Sequence, residues 1–169
     1  MVHYGNLLIF GAGGYGQVVK ELAAETGRFN KIEFIDDNNP LAIGKVSESE
    51  KFLKEFSCAI IAIGNPEIRQ KIYNELEQIG FEIVNIISDK SYVSSSARIG
   101  KGCVIEPFVT VNANSVIGNG VFLCAGSVVG HNSVVNDFCQ IDYNGVVSVS
   151  AAVPSKTKIV AGTVYRNQV

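Results

Sequence analysis

The chain is short of charge, of histidine and of long apolar runs. Only 18% of its 169 residues are Asp, Glu, Lys or Arg, and they sum to a net charge of −2. A protein that grips a polyanion carries a basic excess, so this balance argues against nucleic acid as a partner. No apolar stretch approaches the ~20 residues that cross a bilayer, which argues against a membrane span. Leu7 to Phe10 is too short for the apolar core of a signal peptide and runs straight into a glycine loop, so a cytoplasmic protein is expected. The four cysteines, Cys58, Cys103, Cys124 and Cys139, lack metal-ligand spacing. They read as small hydrophobes in a reducing compartment, and no metal site is expected. There are two histidines, His3 and His131, and His3 lies beside the terminus.

What the chain does have is a period of six. From Val93 to Ile159, every sixth residue is Val, Ile or Leu, twelve positions without a slip. Two residues before each stands something small or short, as at Ser91, Ala97, Cys103, Ser115, Gly145 and Ala151. A six-residue period fits neither an amphipathic helix nor a lone half-buried strand. It fits a parallel β-helix of hexapeptide repeats, in which three hexads make one triangular coil and the aliphatic residues stack inside. Twelve hexads give four coils, a prism ~20 Å tall at ~4.8 Å per stacked strand. Cys103 and Cys139 then sit two coils apart and cannot bridge.

The first half reads differently. Residues 6–10 form a buried strand that enters Gly11-Ala12-Gly13-Gly14-Tyr15-Gly16. Gln17 to Glu25 follows as a helix, and Ile32 to Ile35 as a second strand that ends in Asp36-Asp37. Strand, glycine loop, helix, strand and acid together form the setting in which G-x-G-x-x-G signifies nucleotide binding. The glycines let backbone N–H groups approach a phosphate at a helix N-terminus, and the acid suits a ribose hydroxyl. Ser47 with Glu50 resembles a capping box before a short helix. Cys58 to Ile63 is a third strand, and Asn65-Pro66 starts a helix that Gly80 stops. Phe81 to Ile86 is a fourth strand. The fold class expected is therefore α/β plus β: a small Rossmann-like parallel-sheet domain over residues 1–87, then the β-helix over 88–169. Some 86 residues are too few for two mononucleotide halves, which favours a nucleotide sugar over NAD. Gly64 and Asn65 would border that site.

These residues resemble the bacterial sugar acetyltransferases that join a small Rossmann-like domain to a left-handed hexapeptide β-helix. That family includes the UDP-4-amino-sugar N-acetyltransferases and the sialic acid O-acetyltransferase type. The resemblance rests on Gly11 to Gly16, Phe34 to Asp37, Ala62 to Arg69, Gly80 to Asn85 and Ser127 to Asn132. It implies a left-handed coil, a homotrimer and acetyl-CoA lying between neighbouring β-helices. It implies that Gly13, Gly14, Tyr15, Asp36, Asp37 and Gly64 contact the nucleotide sugar. His131 would be the general base, since an imidazole takes up a proton near neutral pH. Val149, one coil on, would offer its N–H to the oxyanion.

Three features depart from the family pattern. Asn132 stands where an acid usually orients the histidine. Gln140 stands where a second histidine lies near acetyl-CoA. The hexads end at Ile159, so Val160 to Val169 is expected as a tail on a β-helix shorter than the family's. An acetyl-CoA-dependent acetyltransferase acting on a nucleotide-linked amino sugar or a sialic-acid-like sugar is the first reading. A nucleotide-sugar-binding module with a degenerate acetyltransferase site is the alternative, and a purely structural trimer ranks last.

Overall fold

In the computed structural model of the chain, residues 5–167 are described; His3 lies outside them. The chain divides into two compact units between Ile86 and Ile87.

The first unit is built on a four-stranded parallel sheet: β1 (Leu7–Phe10), β2 (Ile32–Ile35), β3 (Cys58–Ile61) and β4 (Glu82–Ile83), in the order β2-β1-β3-β4. All four residues of β1 and of β3 are fully buried, as an inner parallel strand requires. Helix α1 (Gly14–Glu25) joins β1 to β2, and α2 (Pro66–Ile79) joins β3 to β4. The chain leaves β1 in one direction and returns past it to β3 on the other side. The carboxyl ends of β1 and β3 therefore flank a topological switch point, where such sheets bind ligands. Helix α2 starts at Asn65, whose side chain accepts the N–H groups of Glu67 and Ile68, and ends at Gly80 with φ 104°. Two expectations need correction here. The short helix is a 3₁₀ segment, Val46–Phe52, and its capping pair is Lys45 with Glu48 in place of Ser47 with Glu50: the Glu48 carboxylate accepts the Lys45 N–H at 3.3 Å. The fourth strand stops at Ile83, because Ile86–Ile87 pairs into the second unit's stack.

The second unit is a parallel β-helix. Among the described residues it holds fourteen two-residue strands, from Ile86–Ile87 to Val164–Tyr165, spaced six residues apart. They form three sheets whose neighbours lie eighteen residues apart, as in Val116↔Val134, Phe122↔Gln140 and Val128↔Val146. The second residue of each strand points inward; Ile105, Val111, Leu123, Val129, Val135, Ile141, Val147 and Val153 are fully buried. Each such side chain contributes ~1.5–3 kcal/mol of burial. The small residues two positions earlier fill the corners. Several also bond to the next coil: Ser115 Oγ donates to Gly130 O and Ser133 Oγ to Ser148 O, each at 2.8 Å. The corner residue every six positions from Gly102 to Gly162 has positive φ, including Asn114, Asn132 and Asn144. Gly and Asn favour this conformation, and it turns the chain sharply enough to close a triangle.

The stack is longer than the twelve hexads of the sequence reading. Val164–Tyr165, expected as tail, pairs with Val146–Val147, and the Tyr165 ring packs on the core. Tyrosine broke the aliphatic column and so hid the last strand.

Candidate functional site

The candidates fall into two sets, one in each unit. In the first, a cleft of about 370 Å³ opens at the carboxyl ends of β1, β2 and β3. Asp36 and Asp37 line it, with Ile63 after β3 and one face of α2: Ile68, Lys71, Ile72 and Glu75. The α2 residues escaped the sequence reading, although their i, i+3, i+4, i+7 spacing marks a single helix face.

The glycines of the loop divide into two kinds. Gly11 has φ 107°, and a Cβ on Gly16 would overlap the Gly11 carbonyl oxygen. Those two are required by the fold. Gly13, Gly14 and Gly64 are exposed, have no positive φ, and a Cβ on any of them would meet no heavy atom within 4 Å. Nothing inside the protein calls for glycine there. Gly13 is the N-cap of α1 and offers no side chain, and no acidic residue lies in the first turn. The N-terminus of α1 is thus left for an outside anion, whereas Asn65 occupies that of α2. Tyr15 is half-buried in the same first turn.

Asp36 holds the loop itself. Its Oδ2 accepts the Ala12 N–H at 2.9 Å, and its Oδ1 accepts the N–H groups of Asn38 and Asn39 at 2.9 and 3.0 Å. Asn39 in turn donates to Ala12 O at 2.8 Å. These N–H donors, Ala12 foremost, hold the Asp36 carboxyl below the usual range against the opposing effect of burial. Asp37 accepts the Val46 N–H at 2.9 Å and is otherwise exposed. Behind the cleft the fully buried Arg69 donates to Ile63 O at 2.6 Å and Gly64 O at 3.0 Å, fixing the turn that carries Gly64.

In the β-helix, His131 is exposed on a corner. Its Nδ1 lies 2.9 Å from Asn132 Nδ2, and among the described residues Nε2 makes no hydrogen bond. The next coil passes close by: a Cβ on Gly130 would sit 2.6 Å from Val149 N, and Ser150 N–H donates to His131 O at 3.0 Å. Glycine at 130 is therefore obligatory. It brings the Val149 N–H, which donates to no acceptor among the described residues, beside the histidine turn. Gln140 stands apart. It lies on the face with Phe122 and Lys158, half a coil from His131, so one chain does not bring the two together. Among the described residues, no group of three or more His, Cys, Asp or Glu is placed to hold a metal, and no helix is long and apolar enough to cross a membrane.

The two parts, a switch-point sheet with an open helix N-terminus and a hexapeptide prism with a corner histidine, each resemble known families. Residues 6–76 match the PglD N-terminal domain family and residues 96–131 the bacterial transferase hexapeptide (six repeats) family. Both parts occur together in the sugar acetyltransferases to which the chain is similar. It is 31% identical over 145 residues to GDP-perosamine N-acetyltransferase of Escherichia coli O157:H7, across 77% of this chain and 64% of that protein's length. It also resembles the acetyltransferase domain of PglB from Neisseria gonorrhoeae FA1090: TM-score 0.78, 29% identity, 94% of this chain and 87% of that one. PerB from Caulobacter crescentus, solved with CoA and GDP-perosamine, shares the fold: TM-score 0.70, 23% identity, 98% and 91% covered. The prism is accordingly a left-handed parallel β-helix.

Proposed function

We propose that the protein transfers an acetyl group from acetyl-CoA to a nucleotide-linked amino sugar. The observation that carries this reading is His131: exposed, held at Nδ1 by Asn132, beside the Val149 N–H, with both Nε2 and that N–H unpaired among the described residues. Acetyl-CoA supplies the thioester. Once the Asn132 amide turns its oxygen to Nδ1–H, His131 Nε2 takes the proton from the sugar amine as the new N–C bond forms, the C–S bond breaks, and the proton leaves with the thiolate. The Val149 N–H donates to the carbonyl oxygen as charge builds on it. Asn132 holds the ring without a charge of its own.

In the first unit, Gly13, Gly14 and Tyr15 receive the diphosphate at the N-terminus of α1, and Asp37 and Gly64 border the nucleoside. The three glycines with no internal reason to be glycine support this assignment. Asp36 acts by holding Ala12 in place. The relatives that act on or bind GDP-perosamine support an amino sugar as acceptor. On the resemblance we place Gln140 at acetyl-CoA, the product in cell-surface glycan biosynthesis, and the working form as a homotrimer. Exposed Tyr92, Val149 and Val164 are apolar surface that such an assembly would cover. The four free, buried cysteines fit a reducing cytoplasm.

A second reading, a nucleotide-sugar-binding module with a degenerate acetyltransferase site, is favoured by Asn132 in place of an acid. Calorimetric titration separates them. Saturable binding of both acetyl-CoA and a GDP- or UDP-linked amino sugar is expected. Binding of the nucleotide sugar without acetyl-CoA would establish the module instead.

A further inference from the structure

Asn114 lies one coil before Asn132 at the same corner position, and both residues are left-handed, with φ 59° and 57°. Asn114 Nδ2 is 3.2 Å from Asn132 Oδ1, and Asn132 Nδ2 is 2.9 Å from His131 Nδ1. Neighbouring corner side chains are used in another way. Asn119 Oδ1 accepts the Lys101 N–H at 2.9 Å, Asp137 Oδ1 the Asn119 N–H at 2.7 Å, and Ser96 Oγ the Asn114 N–H at 3.1 Å. Those bonds stitch side chain to backbone between coils. The run from Asn114 through Asn132 joins side chain to side chain and ends on the imidazole.

An amide has one donor end and one acceptor end, and half a turn about its last bond exchanges them. Asn132 shows one end to Asn114 and the other to His131. When Asn114 donates, Asn132 accepts with its oxygen and gives an N–H to Nδ1; the ring proton then sits on Nε2. When Asn114 accepts, Asn132 turns its oxygen to Nδ1–H, and Nε2 is left with a bare lone pair. The structure shows the first arrangement, and only the second can take a proton from a substrate amine. We propose that Asn114 is a positioning residue that selects the His131 tautomer through the amide of Asn132. The proposal rests on His131 as the base, but the tautomer is a property of the protein alone and can be read without turnover.

The test uses Asn114→Asp, which keeps the size and tolerates positive φ but can only accept. Asn114→Gly removes the amide without strain. The full chain is labelled with ¹⁵N-histidine in a His3→Gln background, which leaves His131 as the single histidine. Long-range ¹H–¹⁵N correlation spectra then report which ring nitrogen carries the proton. Asn114→Asp is expected to drive the ring almost wholly to Nδ1–H, and Asn114→Gly to give a more even mixture. In turnover, Asn114→Asp raises kcat, Asn114→Gly raises it by a smaller factor of about 2, and KM stays within about 2-fold, since only the competent fraction of the base changes. A tautomer ratio that is the same in wild type, Asn114→Asp and Asn114→Gly, all folded by circular dichroism, overturns the proposal. An inactive wild type whose tautomer still follows residue 114 upholds the positioning role and removes the base assignment instead.

Discussion

Alanine at Gly14 and alanine at Gly16 are expected to move the protein in opposite directions, though the two positions are only two residues apart. A Cβ on Gly14 meets nothing within 4 Å, and the residue is already helical. Alanine there costs less conformational entropy than glycine, a gain of about 0.5–1 kcal/mol. In a chain of this size that raises the melting temperature by about 2 °C. At Gly16 the new methyl overlaps the Gly11 carbonyl oxygen and sits 3.0 Å from the Gly11 carbonyl carbon. Both atoms are backbone, so the β1–α1 turn must open. Overpacking of this kind costs about 1–3 kcal/mol or more, which exceeds the helical gain. The Gly14 methyl also stands where a phosphate oxygen would approach the first turn of α1. It should weaken nucleotide-sugar binding at least about 10-fold, or about 1.4 kcal/mol. Differential scanning fluorimetry and calorimetric titration with a nucleotide-linked amino sugar measure both effects. A Gly14→Ala protein that binds like wild type would refute the reasoning that the open glycines face a ligand. A Gly16→Ala protein as stable as wild type would refute the packing argument.

Two further predictions concern titrating groups. The Asp36 carboxyl is held below its ordinary value of 3.8, so its contribution to stability is complete above that value and is lost as pH falls through the lower, folded value. The urea midpoint of Asp36→Asn should therefore lie below that of wild type near neutrality, and the gap should close in acid; a gap independent of pH would count against the Ala12 contact. Burial, and then the Glu106 charge, push the Cys124 thiol well above its usual range, and the other three cysteines are buried as well. The native protein should react with no thiol reagent at mildly alkaline pH and release four equivalents on unfolding; a fast-reacting native thiol would show that the parallel sheet or a corner of the β-helix is open.

The β-helix was legible because its constraint is strict. A residue that points inward at one coil has a counterpart eighteen residues on, so Val93 to Ile159 carry the pattern openly. The reading stopped where chemistry changed but geometry did not, at Tyr165, an aromatic ring in an aliphatic column. A second column also went unread: the positive-φ corners, where Gly102, Asn114, Gly120, Gly126, Asn132 and Asn144 mark the same period. Asn114 belongs to it, and its tie to Asn132 arises from two residues eighteen apart that no local motif connects. In the first unit, Asn65-Pro66 and Gly80 fixed α2 to the residue, because caps act locally. Ser47 with Glu50 misled for the same reason. The spacing was right, but Asp37, ten residues upstream, binds the Val46 N–H and sets the start of the 3₁₀ turn two residues earlier. Asp36 followed suit: its position after β2 was clear, while its use on Ala12 depended on how the loop folds back.

The measurement that bears most directly on the account is acetyl transfer by wild type and by His131→Ala, with acetyl-CoA and a panel of GDP- and UDP-linked amino sugars, followed by mass spectrometry of the sugar product. Wild type is expected to acetylate at least one of them. His131→Ala, unchanged in its melting temperature, is expected to be slower by roughly 10²-fold or more. Equal rates in the two proteins would contradict the assignment of the base, and no acetylated sugar from wild type would contradict the transferase itself.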